Sequence, residues 1–258
     1  MKKIQFYSDP HYPYSDIMLP PAPAISMIPD WYRESEAFIN KETGTLKIPD
    51  KSLRAAGLKS CVPVFDSLVS GYFFVTWCDI EVYKNRANQV EYRYVTRNED
   101  DEWVPIDQDV DMIGERMGDI AHTMPRPSGH SHNHMIWKSR WGVKLPKGWS
   151  LMVVHPLHRH DLPFTTVPGF MDSDRFTGNG NLPFFLKNNW TGVIEKGTPY
   201  AQLIPIKRES WISQIIPAGR DKLGRYLADN VRSVPYGYYR HKVWEKKVYE
   251  ADYDFKKK

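Results

Sequence analysis

Six histidines fall in two short runs. His130, His132 and His134 alternate in GHSHNH, and His155, His158 and His160 lie in HPLHRH. On a strand the first three project from one face, because side chains alternate with period two. Neutral imidazoles bind zinc, copper or iron. If the two runs pair, a metal pocket follows, and its ligands must be deprotonated, so binding would weaken below about pH 6. The spacing matches no zinc signature, no helical HExxH is present, and neither cysteine lies nearby. Gly, Ser and Asn around the first run equally fit a solvated polar turn.

Other constellations are weaker. Asp172 and Asp174 sit in a GFMDSD turn, where acidic side chains routinely cap backbone. Ser, His and Asp all occur, but without a Gly-x-Ser-x-Gly elbow. No phosphate-cradling Gly-Lys-Ser loop is present. The stretch YGYYRHKVWEKK combines rings and cations and can stack single-stranded bases. An amphipathic contact surface explains it more simply.

The elements that must position these residues read as short strands. Gly71–Tyr83 is rich in aromatic and β-branched residues, and Gln89–Thr96 alternates cleanly. Ser60–Val64 also reads as a strand, Leu46–Ile48 as another, and Lys51–Gly57 as a loop. Asp107–Asp119 reads as a short acidic helix, and Trp31–Phe38 as one amphipathic turn. After position 137, strands are expected at Trp137–Gly142, Ser150–Pro156, Phe164–Met171, Asn181–Asn188, Thr191–Ile194 and Tyr200–Lys207. Such even spacing, punctuated by Gly and Pro, predicts a mainly β fold of the distorted jelly-roll or β-barrel kind, with few short helices. The division expected is a Pro-rich N-terminal arm over 1–40, one barrel over 41–209 and an aromatic, basic tail over 210–258. Pro20, Pro21 and Pro23 hold the arm extended, either around its own barrel or toward a neighbour. Ser210–Ile216 reads as a strand continuation or a helix start, and Arg220–Asn230 has helix-compatible composition.

Composition sets limits. The chain has 258 residues, 41% hydrophobic and 26% charged, which supports a real core. The formal net charge of +4 is too even for a nucleic-acid-coating protein, so no nucleic acid is expected. No stretch approaches the roughly 18 apolar residues of a membrane span, and Met1–Pro10 lacks a leader's apolar run. The expectation is a soluble protein made in a reducing host cytoplasm, with Cys61 and Cys78 free.

Residues 148–208 carry a resemblance. GFMDSD over 169–174, with Phe176 and Gly178 after it, is similar to the Gly-apolar-apolar-Asp-x-Asp and Tyr-x-Gly motifs of the deoxyuridine triphosphatase and deoxycytidine deaminase superfamily. Asn181–Asn188 resembles the next strand of that family. Ile194, Gly197 and Ala201-Gln202-Leu203-Ile204 resemble its Ile-x-x-Gly-x-x-Ile-Ala-Gln-apolar strand. The resemblance implies a deoxyuridine triphosphatase-like β-barrel. For an enzyme it implies Asp172 activating water, Arg159 as phosphate donor, Phe176 and Gln202 against the nucleotide, and magnesium with the triphosphate. The chain departs from that pattern. HPLHRHD stands where the family has Arg-Ser, Arg175 lengthens the spacing by one residue, and no Gly-rich arm follows.

The whole chain also resembles a family of uncharacterised tailed-phage and marine-bacterial proteins. Ile28-Pro29-Asp30-Trp31-Tyr32, Lys59-Ser60-Cys61-Val62-Pro63, Gly71-Tyr72, Gly148-Trp149-Ser150, Pro163-Phe164 and Gly197-Thr198-Pro199 carry that likeness. The expectation from the residues together is a phage structural or accessory protein without catalysis. Its arm and tail would bind copies of itself or other virion proteins, and it would reside in the host cytoplasm or the virion. The alternatives are a magnesium-dependent deoxynucleoside triphosphate pyrophosphatase or a deaminase-like enzyme, and a histidine-ligated metalloprotein. No cofactor is expected, and magnesium and zinc are the metals these residues admit.

Overall fold

The computed structural model describes residues 2–13, 16–45, 54–87, 89–106, 110–115, 123–132, 134–178, 180–215 and 239–249. In chain order the strands and helices are β1 (Gln5–Ser8), β2 (Ala22–Pro23), α1 (Asp30–Arg33), β3 (Phe38–Asn40), β4 (Arg54–Ala56), α2 (Val62–Val69), β5 (Tyr72–Val75), β6 (Asp79–Lys84), β7 (Val90–Arg97), β8 (Trp103–Pro105) and β9 (Ile113–Glu115). They continue with β10 (Met135–Lys138), β11 (Trp141–Lys144), β12 (Trp149–Val154), β13 (Phe164–Thr166), β14 (Gly169–Met171), β15 (Asn181–Leu186), β16 (Gly192–Ile194) and β17 (Pro199–Lys207). The chain forms two compact units, one of Met1–Met27 with Ser70–Lys207, the other of Ile28–Val69 with Arg208–Lys258.

The first unit is built from antiparallel sheets. One has the order β13-β15-β10-β9, a second β14-β12-β17-β5-β2, and a third β16-β6-β7-β8. The first two face each other through rings. Trp137 of β10 stacks on Phe184 of β15 at 4.0 Å and on Tyr200 of β17 at 4.9 Å. Phe164 of β13 meets Trp137 edge-on at 5.0 Å, and Phe74 of β5 stacks on Tyr200. All five rings are buried, and each contributes about 1.5–3 kcal/mol by leaving water. This aromatic layer is the core expected of a jelly-roll-like sandwich. Strand β17 lies between β12 and β5 and is buried on both faces from Tyr200 to Leu203.

The Pro-rich segment at the start runs along its own sheets. β1 pairs with β11, and β2 pairs with β5. Buried Tyr12 donates its hydroxyl to the Val110 carbonyl, and the Trp141 indole donates to the Leu19 carbonyl at 3.1 Å. Burial pushes the Tyr12 hydroxyl up to about 12. At the entry to β5, Gly71 adopts φ +74, and a Cβ there would lie 1.9 Å from the Leu203 carbonyl oxygen. Only glycine fits that crossing.

Several expectations change. Ser60–Val64 is not a strand, because Val62–Val69 is helix α2. Pro63 falls in the first helical turn, where its missing N–H costs nothing, and Val62, Phe65, Leu68 and Val69 share a face. Within the expected loop Lys51–Gly57, Arg54–Ala56 is a strand paired with Phe38–Asn40. The acidic stretch 107–119 holds a strand, β9, in its described part. Asp111 adopts φ +48, which breaks a helix, and its carboxylate is gripped by Lys138 and Arg140. Trp137–Gly142 splits into β10 and β11 at Ser139–Arg140, and Phe164–Met171 splits into β13 and β14 at Val167–Pro168. The expected strand Leu46–Ile48 and helix Arg220–Asn230 lie outside the described residues.

In the second unit, α2 carries Asp66. Its carboxylate accepts from the Trp244 indole at 3.0 Å and the Lys247 ammonium at 2.7 Å, so this part of the tail is pinned to α2.

Candidate functional site

Strand β12 separates the two groups of candidate residues. At its start, Ser150 donates to Asp172 at 2.7 Å. Beside it, Asp174 accepts from the Gly148 amide at 2.8 Å, and the Leu145 amide bonds the Ser173 carbonyl. The Asp172 carbonyl accepts from the amides of Arg175 and Phe176. The acidic turn after β14 is therefore stapled to β12 by Asp172 and to the β11–β12 turn by Asp174. The two carboxylates accept from different partners. Phe176 lies over Gly178 and is 59% exposed.

At the other end of β12 lies the loop His155–Pro163. Five residue steps lead from Ser150 to His155, about 17 Å at the strand rise. Arg159 is here, gripping Asp161 with Nε at 2.9 Å and Nη2 at 2.8 Å. Its guanidinium holds the Asp161 carboxyl below the usual range. The structure thus places Arg159 and Asp172 at opposite ends of one strand rather than around one phosphate.

The two histidine runs do meet, through Lys187. His130 forms a β-bridge with Lys187, and the Lys187 ammonium donates to the His160 carbonyl at 2.6 Å. Their ring nitrogens, however, serve the fold. His130 Nδ1 donates to the Ser128 carbonyl at 2.9 Å, and Nε2 shares a hydrogen bond of 2.9 Å with the Thr165 hydroxyl. His155 Nε2 donates to the Arg159 carbonyl at 3.1 Å, while Nδ1 accepts the Thr166 amide at 3.3 Å. Burial lowers the His155 pKa; the bond to the Arg159 carbonyl opposes this, and the nearby Lys187 and Arg159 charges add to the lowering. His134 is buried against Phe185, His158 sits in the left-handed region at φ +61, and His132 and His160 are exposed. Among the described residues no three His, Cys, Asp or Glu side chains are placed to hold a metal ion.

Gln202 is fully buried. Its Oε1 accepts from the Leu157 amide at 2.9 Å, and its Nε2 donates to the Ser70 carbonyl at 2.7 Å. It braces the loop after β12 against the chain entering β5. Both faces of β17 are buried here, so Gln202 is enclosed like its neighbours Ala201 and Leu203. Sequence reasoning missed Ser150, Thr165 and Lys187, which carry no motif and gain their roles only through pairing.

The fold is mainly β with several antiparallel sheets, and the chain is similar to phage dUTPases. A mutant dUTPase from phage phi11 of S. aureus, described with a structural Mg(II) ion, matches at 12% identity over 42% of this chain and 97% of that chain, with a TM-score of 0.24. A mutant dUTPase of Staphylococcus bacteriophage 80alpha with dUpNHpp matches at 12% identity over 43% and 89%, with a TM-score of 0.23. At such TM-scores the likeness says nothing about activity. No protein-family model and no curated protein matches the chain. No described helix is long and apolar enough to cross a membrane.

Proposed function

We propose that this chain is a non-catalytic phage structural or accessory protein that binds a neighbouring protein subunit through the segment after β17. The observation that carries this reading is the exposure of three large apolar side chains there: Trp211 at 85%, Ile212 at 98% and Ile215 at 93%. The described residues 208–215 form no strand or helix. An irregular segment showing this much apolar surface is what a partner's groove takes up. The Pro-rich start contributes less, because it lies on its own sheets. Against catalysis stands the engagement of Asp172 by Ser150 and of Arg159 by Asp161.

The test is mass spectrometry of purified phage particles carrying the wild-type chain or the triple variant Trp211→Ala, Ile212→Ser, Ile215→Ser. The expected result is incorporation of the first and loss of the second at equal soluble expression. Absence of the wild-type chain from particles, or equal incorporation of the variant, would overturn the reading.

A further inference from the structure

We infer that one end of the first unit is a binding surface for the phosphate backbone of single-stranded nucleic acid, and this goes beyond the proposed protein–protein role. The strand pairing gathers cations from distant parts of the sequence at the β11–β12 turn. Lys2 stacks its ammonium on the Trp149 ring at 4.0 Å, and Lys3 follows it. Lys207 stands directly across from Trp149 in the β12–β17 ladder. Lys144, at the end of β11, donates to the Asp174 carbonyl at 2.8 Å, which brings neighbouring Arg175 to the same rim. Lys147 occupies the exposed turn between β11 and β12.

These six cations accompany two carboxylates of the acidic turn, Asp172 and Asp174, and Glu209 follows Lys207 by two positions. Lys2, Lys3, Lys147, Arg175 and Lys207 are exposed. Exposed Phe176 follows Arg175 directly, and half-buried Trp149 lies among the lysines. Cations that track a polyphosphate, interleaved with rings on which unstacked bases rest, are the two components of sequence-tolerant single-strand binding. An acidic protein surface would use the cations but leave Phe176 without a stacking partner, so the nucleic acid fits both features.

The experiment is fluorescence anisotropy of a labelled oligothymidylate of about 20 nucleotides with the full-length chain, titrated from about 50 mM salt upward. Binding should weaken linearly in log–log form, with a slope of about −0.7 per phosphate contacted. The triple variant Lys147→Glu, Arg175→Glu, Lys207→Glu should lose at least tenfold in affinity and flatten that slope. Arg86→Glu, an exposed charge reversal on another loop, should change neither. Phe176→Ala should weaken binding at unchanged slope. No binding at low salt, a triple variant that binds like wild type, or equal competition by polyglutamate of matched charge would each overturn the inference. Loss of particle incorporation in the Trp211 variant leaves this measurement untouched, so the two readings fail separately.

Discussion

Replacing Gln202 by leucine tests whether this residue is a brace or a ligand contact. Leucine approximates its volume but removes the bonds to the Leu157 amide and the Ser70 carbonyl. An orphaned buried backbone group costs about 1–3 kcal/mol. Leu157 and Ser70 are half-buried, so water recovers part of that, and a total of about 2–4 kcal/mol is expected. For a domain of this size, each kcal/mol shifts the midpoint by about 2–4 °C. Gln202→Leu should therefore unfold roughly 4–16 °C earlier by near-ultraviolet circular dichroism, with the mid-point shift accompanied by faster amide exchange at Leu157. A shift below about 1 °C, with Leu157 protection unchanged, would refute the bracing role and return Gln202 to the list of candidate ligand contacts.

Other outcomes follow from the same geometry. Burial lowers the His155 pKa below its ordinary 6.5, so the unfolded chain takes up the proton first. The stability His155 supports is thus complete above about pH 6.5 and declines as pH falls through that value. His155→Gln should flatten the fall in a pH series of denaturant midpoints, and unaltered curves would exclude His155 as its source. Gly71→Ala should fail to accumulate as folded protein or lose several kcal/mol, because the Cβ meets the Leu203 carbonyl oxygen; a midpoint within a degree of wild type would contradict the crossing. Cys61 is exposed, while burial pushes the Cys78 thiol up to about 12. Thiol titration of the native protein should find one reactive cysteine, the second appearing only on unfolding.

Much of the fold was readable because β17, β12 and β7 have lengths and side-chain patterns that only strands satisfy. Tyr200–Lys207 and Gln89–Thr96 were placed within one residue of the observed β17 and β7. What failed did so for local physical reasons. Val62–Val69 is an apolar run short enough to read as a strand, and its helical period shows only when Pro63 is recognised as a first-turn residue. β9 has three residues and is held by pairing with β10, a long-range cause invisible in an acidic sequence. The site was less legible than the fold. Asp172 and Arg159 are close enough in sequence to be imagined together, but Asp172 lies beside Ser150 at the start of β12 and Arg159 in the loop after its end. A metal pocket from the two histidine runs was conditional on their pairing. Lys187 joins them, yet backbone and hydroxyl groups occupy the ring nitrogens of His130 and His155.

The most direct trial of this account is magnesium-dependent pyrophosphate release from the four deoxynucleoside triphosphates and deoxyuridine triphosphate, with wild-type chain beside Asp172→Asn. With Asp172 engaged by Ser150 and Arg159 held by Asp161 in the loop after β12, both proteins should match the protein-free blank. Release by the wild type that disappears in Asp172→Asn would show that the acidic turn performs chemistry and not only architecture.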